Sequence, residues 1–386
     1  MIPRDLATTL TTLLQQYPVV TVTGPRQSGK TTLCRACVPN LPYVNLEAPD
    51  ERAFAVDDPR GFLGRFPAGV ILDEIQHVPD LLSYIQVRVD ETGQPGQFLL
   101  TGSHQFELDR HISQSLAGRT GLLRLLPLSI AERMQIETAT SYDTWLFQGG
   151  YPRVLVQGLD PVRAYADYFQ TYIQRDLREL IQIKDLRLFE KFVRLAAGRT
   201  GQVLNLQNLA ADTGVSGHTA KAWLSMLEAS FIVFLLPPWF ANISKRLVKS
   251  PKLYFCDTGL ACYLIGLRAA EQLASHPLRG ALFETLLVSE ALKQRLHHGH
   301  PPDLYYYRDS SGMEVDLLLD RGDRLDALEI KAGETVAGDF YKPLEKLADL
   351  LPDRLGRRAL AYGGQTGQTR SHADVLPWFG VAEWLG

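Results

Sequence analysis

The stretch Gly24-Pro25-Arg26-Gln27-Ser28-Gly29-Lys30-Thr31 constrains this chain more than any other. The apolar run Val19-Val20-Thr21-Val22 ahead of it reads as a buried strand, and Thr32 to Cys37 behind it reads as a helix that stops before Pro39. Strand, glycine loop and helix in that order make a phosphate cradle, because the curled backbone turns successive N–H groups inward and the helix N-terminus adds positive potential. Lys30 is then expected to reach the β- and γ-phosphates of a nucleotide and the Thr31 hydroxyl to help hold Mg²⁺. Gly24, Pro25, Arg26, Gln27, Ser28, Gly29 and Thr32 complete the expected contact set, with a nucleotide and Mg²⁺ as the ligands.

At 386 residues the chain exceeds one ordinary core, so two or three domains are expected. A hydrophobic share of 45% with 22% charged residues is an ordinary globular composition, and the net charge of −3 excludes a uniformly basic protein. Arg4 and Asp5 interrupt the first residues, and the longest apolar run, Phe231 to Leu236, is too short to span a bilayer. A cytoplasmic protein without a membrane segment is the expectation. Cys34 and Cys37 have only Cys256 and Cys262 as further thiols, at irregular spacing, so reduced packing cysteines are expected rather than a metal site.

Short apolar runs recur through the first third: Tyr43 to Leu46, Gly69 to Leu72, Gln97 to Thr101 and Gly121 to Leu126. Separated by helical segments, they predict a parallel sheet covered on both faces. Asp73 and Glu74 follow the third run, at the carboxyl end of a strand, where such sheets bind ligands. Asp73 is the candidate Mg²⁺ ligand, and Glu74 the residue that orients or deprotonates the attacking water. Ser103 or Thr101 is either a sensor of the γ-phosphate or part of a capped turn. Arg119 is either an arginine finger for a neighbouring subunit, which implies a homo-oligomer, or a surface arginine.

The Gly24 to Thr31 loop, Val70-Ile71-Leu72-Asp73-Glu74, Leu100-Thr101-Gly102-Ser103, Gly118-Arg119-Thr120 and Leu126-Pro127-Leu128-Ser129 together resemble the AAA-type ATPases of prokaryotes, and within them the group whose ATPase core is fused to a C-terminal domain of unknown function. Gly149-Gly150-Tyr151-Pro152 and Lys252-Leu253-Tyr254-Phe255-Cys256-Asp257-Thr258-Gly259-Leu260 share that resemblance, which runs over nearly the whole chain. It implies an AAA fold with ATP as ligand.

From Ser141 to Leu195 the pattern is helical, with Tyr165, Tyr168, Phe169, Tyr172 and Ile173 at core spacing and Arg175, Asp176, Arg178 and Glu179 as a solvated, charge-paired face. Leu206 to Ala210, a turn at Gly214, a Ser216-capped helix over His218 to Leu227 and the extended Phe231 to Leu236 predict a winged helix. Its second helix offers only His218, Lys221 and Ser225 as polar contacts, which favours packing over DNA reading. Lys245, Arg246, Lys249 and Lys252 would touch phosphates or line a solvated loop.

In the last third a helix around Glu284 precedes strands at Leu304 to Arg308, Glu314 to Leu319 and Ala327 to Lys331. Residues two apart on a strand share a face, so Glu329 and Lys331 point together, and a hairpin brings Asp316 to them. Converging carboxylates bind Mg²⁺, and a lysine beside them orients water. Asp316, Glu329 and Lys331, with Glu284 as helix acid, resemble the PD-(D/E)xK (restriction-endonuclease-like) fold, whose metal would sit on Glu284, Asp316 and Glu329. The expected α/β architecture is thus a P-loop AAA-type core over 1–135, a helical and winged-helix region over 136–268 and a small α/β restriction-endonuclease-like domain over 269–386. Two functions follow: an ATPase with a Mg²⁺-dependent nuclease domain acting on DNA or RNA, or a nucleotide-dependent switch whose inactive nuclease-like domain binds a partner.

Overall fold

A computed structural model describes residues 2–103, 115–139, 141–176, 185–240 and 250–386. The chain divides into two compact units, one built on 1–128 with 229–231 and 295–300, the other on 129–228, 232–294 and 301–386. Apart from 229–231 and 295–300, residues 136–268 and 269–386 fall in the second unit.

In the first unit, strands β1 (Val19–Thr23), β2 (Tyr43–Asn45), β3 (Val70–Asp73), β4 (Phe98–Gly102) and β5 (Thr120–Arg124) form one parallel sheet in the order β2-β3-β4-β1-β5. The alternation of side chains along each strand builds two cores. Val20, Val22, Ile71, Leu99 and Leu123 pack with Leu6, Leu10, Leu33 and Cys34, which lie on the helices Leu6–Leu14 and Lys30–Cys37. Val19, Val70, Leu72, Phe98 and Leu100 face Phe62, Leu82, Ile85 and Val89 on the opposite side. A sheet buried on both faces needs continuous apolar strands, which is what the sequence carries. Because β4 lies between β1 and β3, the ends of these three strands bring the glycine loop, Thr101 and Asp73 to one edge.

The second unit joins three elements. The helices Tyr142–Gln148 and Pro161–Tyr168 bury Tyr142, Trp145, Tyr165 and Tyr168, and Phe169 and Tyr172 are buried beyond them, so the aromatic stripe is core. Gly149, at φ +69°, lies where a Cβ would meet the Tyr165 hydroxyl at 2.1 Å and the Asp257 carboxylate at 2.5 Å. Asp257 accepts from the Gly150 N–H (2.6 Å) and caps the helix Thr258–Leu264 through Leu260 N–H (2.9 Å). The Gly149-Gly150 and Cys256-Asp257-Thr258-Gly259 motifs are therefore two sides of one buried joint.

Helices Leu206–Thr213 and Gly217–Ala229, turned at Gly214 (φ +90°), accompany an antiparallel sheet of β6 (Gln202–Val203), β7 (Val233–Leu236) and β8 (Lys252–Phe255) in the order β6-β8-β7. The Ser216 hydroxyl accepts from Thr219 N–H (3.1 Å), as expected of a cap. Lys245, Arg246, Lys249, Arg178 and Glu179 lie outside the described residues.

The third element is a mixed sheet of β9 (Leu304–Arg308), β10 (Glu314–Asp320), β11 (Leu325–Lys331), β12 (Leu355–Tyr362), β13 (Gln368–Thr369) and β14 (Asp374–Pro377), ordered β13-β14-β12-β11-β10-β9. Strands β9 to β11 form an antiparallel meander, whereas β12 runs parallel to β11 after the helix Lys342–Leu350, whose Leu344 and Leu347 pack on Val315, Leu318, Ala327 and Leu360. All four cysteines are unpaired by disulfides, and Cys34, Cys256 and Cys262 are buried.

Candidate functional site

The glycine loop follows β1 directly. Gly24 has φ +150°, and a Cβ on it would lie 2.1 Å from the Leu125 carbonyl oxygen, so the loop leaves the sheet through a position only glycine fits. Gln27 (φ +64°) and Gly29 (φ +96°) complete the curl into the Lys30–Cys37 helix. Lys30 is buried, and its ammonium donates to the carbonyls of Gly24 (3.0 Å) and Pro25 (3.0 Å). Burial lowers its pKa against the opposing pull of Glu74 and Asp73, so this is a cation held by neutral oxygens at a position that suits a phosphate. The Ser28 hydroxyl is buried without a hydrogen-bond partner in the same loop. Arg26 reaches Glu47 at 3.6 Å.

At the strand ends the Thr31 hydroxyl donates to Asp73 Oδ2 (2.9 Å), Tyr43 donates to the same oxygen (2.7 Å), and Thr101 donates to Asp73 Oδ1. A helix-start hydroxyl and a strand-end carboxylate that already meet are oxygen ligands that would hold Mg²⁺ beside a triphosphate, so the residues fit that ion. Burial raises the Tyr43 hydroxyl, and Asp73 raises it further, which keeps it a donor.

Glu74 takes a left-handed backbone (φ 56°, ψ 48°), uncommon for a side chain that is not glycine. Its N–H donates to Thr101 Oγ1 (3.3 Å), and its carboxylate accepts from Ser103 (3.0 Å) and from the Gln76 amide, which also contacts Ser103 (3.3 Å). Burial alone would push this carboxyl up; Lys30 and the bonds from Gln76 and Ser103 outweigh it, and the carboxyl is held below its ordinary value. An ionised, oriented carboxylate thus stands beside the cradle. Ser103 bonds Glu74, while Thr101 braces Asp73 and the Glu74 backbone.

Arg119 lies elsewhere. It precedes β5, whose Thr120 aligns with Val19 at the start of β1, the sheet edge opposite the cradle. Its guanidinium grips Asp90 through two bonds, at 2.5 and 2.9 Å.

Three residues near the cradle escape sequence reading. The Arg4 guanidinium donates to the carbonyls of Ser28 (2.6 Å) and Leu126 (2.7 Å) and so braces the loop from behind. Tyr43 and Gln76 sit on other segments, and no spacing ties them to the loop; the only signal was their place at a strand end and after Glu74.

The expected C-terminal residues do come together. Leu317 opposes Leu328 across β10 and β11, so Asp316 sits opposite Glu329, and its Oδ2 accepts from Ile330 N–H (2.8 Å). Lys331 pairs with Glu329 and lies 3.8 Å from Asp316. Glu284, from the helix Arg279–His297, joins through a residue not expected there. Lys252 on β8 donates to Glu284 (2.8 Å), pairs with Glu314 and lies 4.0 Å from Asp316. Its side chain is 3% exposed. This corrects the expectation of a phosphate-touching or solvated Lys252: it belongs to a carboxylate cluster. Tyr254, two residues on and on the same face of β8, also donates to Glu284. Glu314 was legible only as the residue before Val315-Asp316, and Lys252 carried no sequence link to the cluster.

Burial, with Asp316 adding to it, pushes the Glu284 carboxyl up to about 7 against Lys252, and Glu329 up to about 8 against Lys331. Burial lowers Lys252, but Glu284, Asp316 and Glu314 outweigh it and the ammonium is held above its ordinary value. For a divalent ion bridging Glu284 and Asp316 the fit is poor, since the ammonium already stands between these oxygens. Glu329 Oε2 is buried without a hydrogen-bond partner.

The profile of an AAA domain family matches residues 16–134, and profiles of two domains of unknown function match residues 139–271 (DUF8612) and 279–379 (DUF4143). The "uncharacterized protein Rv2008c" of Mycobacterium tuberculosis is 33% identical over 366 residues, which cover 94% of this chain and 80% of the relative, and "uncharacterized protein Mb2031c" of Mycobacterium bovis matches to the same extent. The chain belongs to the family of these mycobacterial proteins. Its first third is an AAA-type ATPase domain, as the loop and strand ends imply. Among solved structures, the Walker-type ATPase of Pyrococcus abyssi is 17% identical with a TM-score of 0.47, covering 68% of this chain and 96% of that one. The RuvB Holliday junction branch migration motor of Thermotoga maritima is 20% identical with a TM-score of 0.31, covering 61% and 90%. Among the described residues no helix is long and apolar enough to cross a membrane.

Proposed function

We propose that this member of the family binds and hydrolyses ATP at the Gly24–Thr31 cradle and uses the nucleotide state to switch a partner-binding second unit. The observation that carries the first half is the shared hydrogen bonding of Thr31, Thr101 and Tyr43 on Asp73, next to a buried Lys30. Loop N–H groups between Arg26 and Thr32 bind the phosphates, and Lys30 moves from the loop carbonyls to the β- and γ-phosphate oxygens. Thr31 and Asp73 would hold Mg²⁺, which when bound neutralises charge across the β- and γ-oxygens. Glu74, fixed by Ser103 and Gln76, orients the attacking water and takes its proton.

The helix pair and the β6-β8-β7 sheet read as a winged helix whose role is packing. We read the order helix, three-stranded meander, helix, parallel strand in the C-terminal part as a restriction-endonuclease-like scaffold. The reading favoured for that scaffold is partner binding without cutting, and the observation behind it is the Lys252 ammonium among the carboxylates. The test pairs two assays on the purified chain. Phosphate release from ATP with Mg²⁺ is expected, and its absence overturns the ATPase reading. Incubation of DNA and of RNA with Mg²⁺ or Mn²⁺ is expected to leave both intact, and cleavage that disappears in Asp316→Ala restores the nuclease reading.

A further inference from the structure

We propose that Lys252 is the resident cation of the C-terminal carboxylate cluster: its ammonium takes the place of a divalent ion between Glu284, Glu314 and Asp316, and closes that half of the cluster to Mg²⁺ and Mn²⁺. The inference deepens the reading of this domain as one that does not cut, and it is independent of ATP hydrolysis at the glycine loop.

Strand β8 is not part of the six-stranded sheet, yet it delivers both Lys252 and Tyr254 onto Glu284 Oε1. That oxygen has two donors already, one of them cationic. Glu314 and Asp316 lie two residues apart on one face of β10, and the same ammonium reaches both. A divalent ion needs carboxylate oxygens at about 2.0–2.6 Å, directed at one point. Here an ammonium holds that point, within hydrogen-bonding distance of Glu284 and Glu314 and 4.0 Å from Asp316, with its side chain almost wholly buried and so unable to swing into solvent without opening the β8 packing. A buried group of carboxylates must be neutralised by something. Lys252 on one side and Lys331 on the other supply two fixed positive charges, and Asp316 lies within 4.0 Å of each. The charge that a metal would bring is therefore encoded in the chain, in a residue contributed by the small sheet. Lys252 also ties the three-stranded sheet to the helix of Glu284 and to β10: removing it frees a site and loosens a joint.

The experiment counts bound Mn²⁺ by the loss of its free-ion electron paramagnetic resonance signal, without nucleotide and in an Asp73→Asn background that removes the carboxylate of the glycine-loop site. With Lys252 present, no Mn²⁺ whose binding depends on Glu284 is expected. Lys252→Met should add one Mn²⁺ per chain, lost again in Lys252→Met/Glu284→Gln, and Mn²⁺ should raise the melting temperature of Lys252→Met but not of the Lys252 protein. Mn²⁺ binding in the Lys252 protein that Glu284→Gln abolishes overturns the proposal. So does a folded Lys252→Met that gains no ion. Should Lys252→Met not fold, the comparison of the Lys252 protein with its Glu284→Gln variant alone still decides it. A negative result in the DNA and RNA assays leaves these counts unaffected, so the two readings fail separately.

Discussion

Replacing Glu74 by Gln isolates the chemical step from binding. The carboxylate accepts from Ser103 at 3.0 Å and from Gln76, and it is not among the groups that hold Lys30 or Asp73 by hydrogen bonds. An amide of the same shape keeps the left-handed turn and the size of the site, so ATP affinity should change by no more than about twofold to threefold. What is lost is the anion that takes the proton from water. A positioned general base contributes roughly 10²- to 10⁴-fold to rate, which is about 3–5 kcal/mol of barrier at 1.36 kcal/mol per tenfold. Because Lys30, Gln76 and Ser103 hold the Glu74 carboxyl below its ordinary value despite burial, the wild-type base stays ionised through neutral pH, and no acidic limb from it should appear between pH 6 and 8. Single-turnover phosphate release gives the rate, and a fluorescent ATP analogue gives the affinity. A Glu74→Gln variant that hydrolyses ATP at the wild-type rate refutes the reasoning. A variant that loses binding in proportion to rate places Glu74 in ground-state contact instead.

Gly24→Ala puts a Cβ 2.1 Å from the Leu125 carbonyl at φ +150°, so it should destabilise the first unit by about 1–3 kcal/mol, read as a lower melting temperature that ATP only partly restores. The buried Glu290 carboxyl, raised chiefly by burial, accepts from Ile130 N–H at 2.7 Å and from Gln294. A raised carboxyl stabilises the fold at pH below its unfolded value and loses that contribution as pH climbs through its folded one. Glu290→Gln, which keeps an acceptor without a charge, should therefore flatten the decline of melting temperature from pH 5 to 9; an unchanged slope counts against it.

The glycine loop and its sheet were legible in the sequence because their physics is local. A cradle needs glycines at fixed spacing, and a doubly covered parallel sheet needs apolar runs ending in polar residues, so Gly24, Lys30, Thr31, Asp73 and Glu74 could be placed from the chain alone. The supports could not. Arg4 reaches Ser28 across 24 residues, and Tyr43 meets Asp73 across 30, through strand order that no periodicity encodes. The C-terminal set was legible by strand parity, which correctly joined Asp316, Glu329 and Lys331. Lys252 was misread, because a lysine in a basic stretch reads as solvated until a β-strand buries it. Its role depends on a helix acid 32 residues away, and only the fold makes them neighbours.

The central claim is that the loop before Lys30 grips a triphosphate. Isothermal titration of ATP with Mg²⁺ into the wild-type chain and into Lys30→Ala tests it most directly. One saturable site per chain, weakened at least tenfold in Lys30→Ala, is the predicted result. Absence of ATP binding by the folded wild-type chain, or equal affinity in the two proteins, contradicts it.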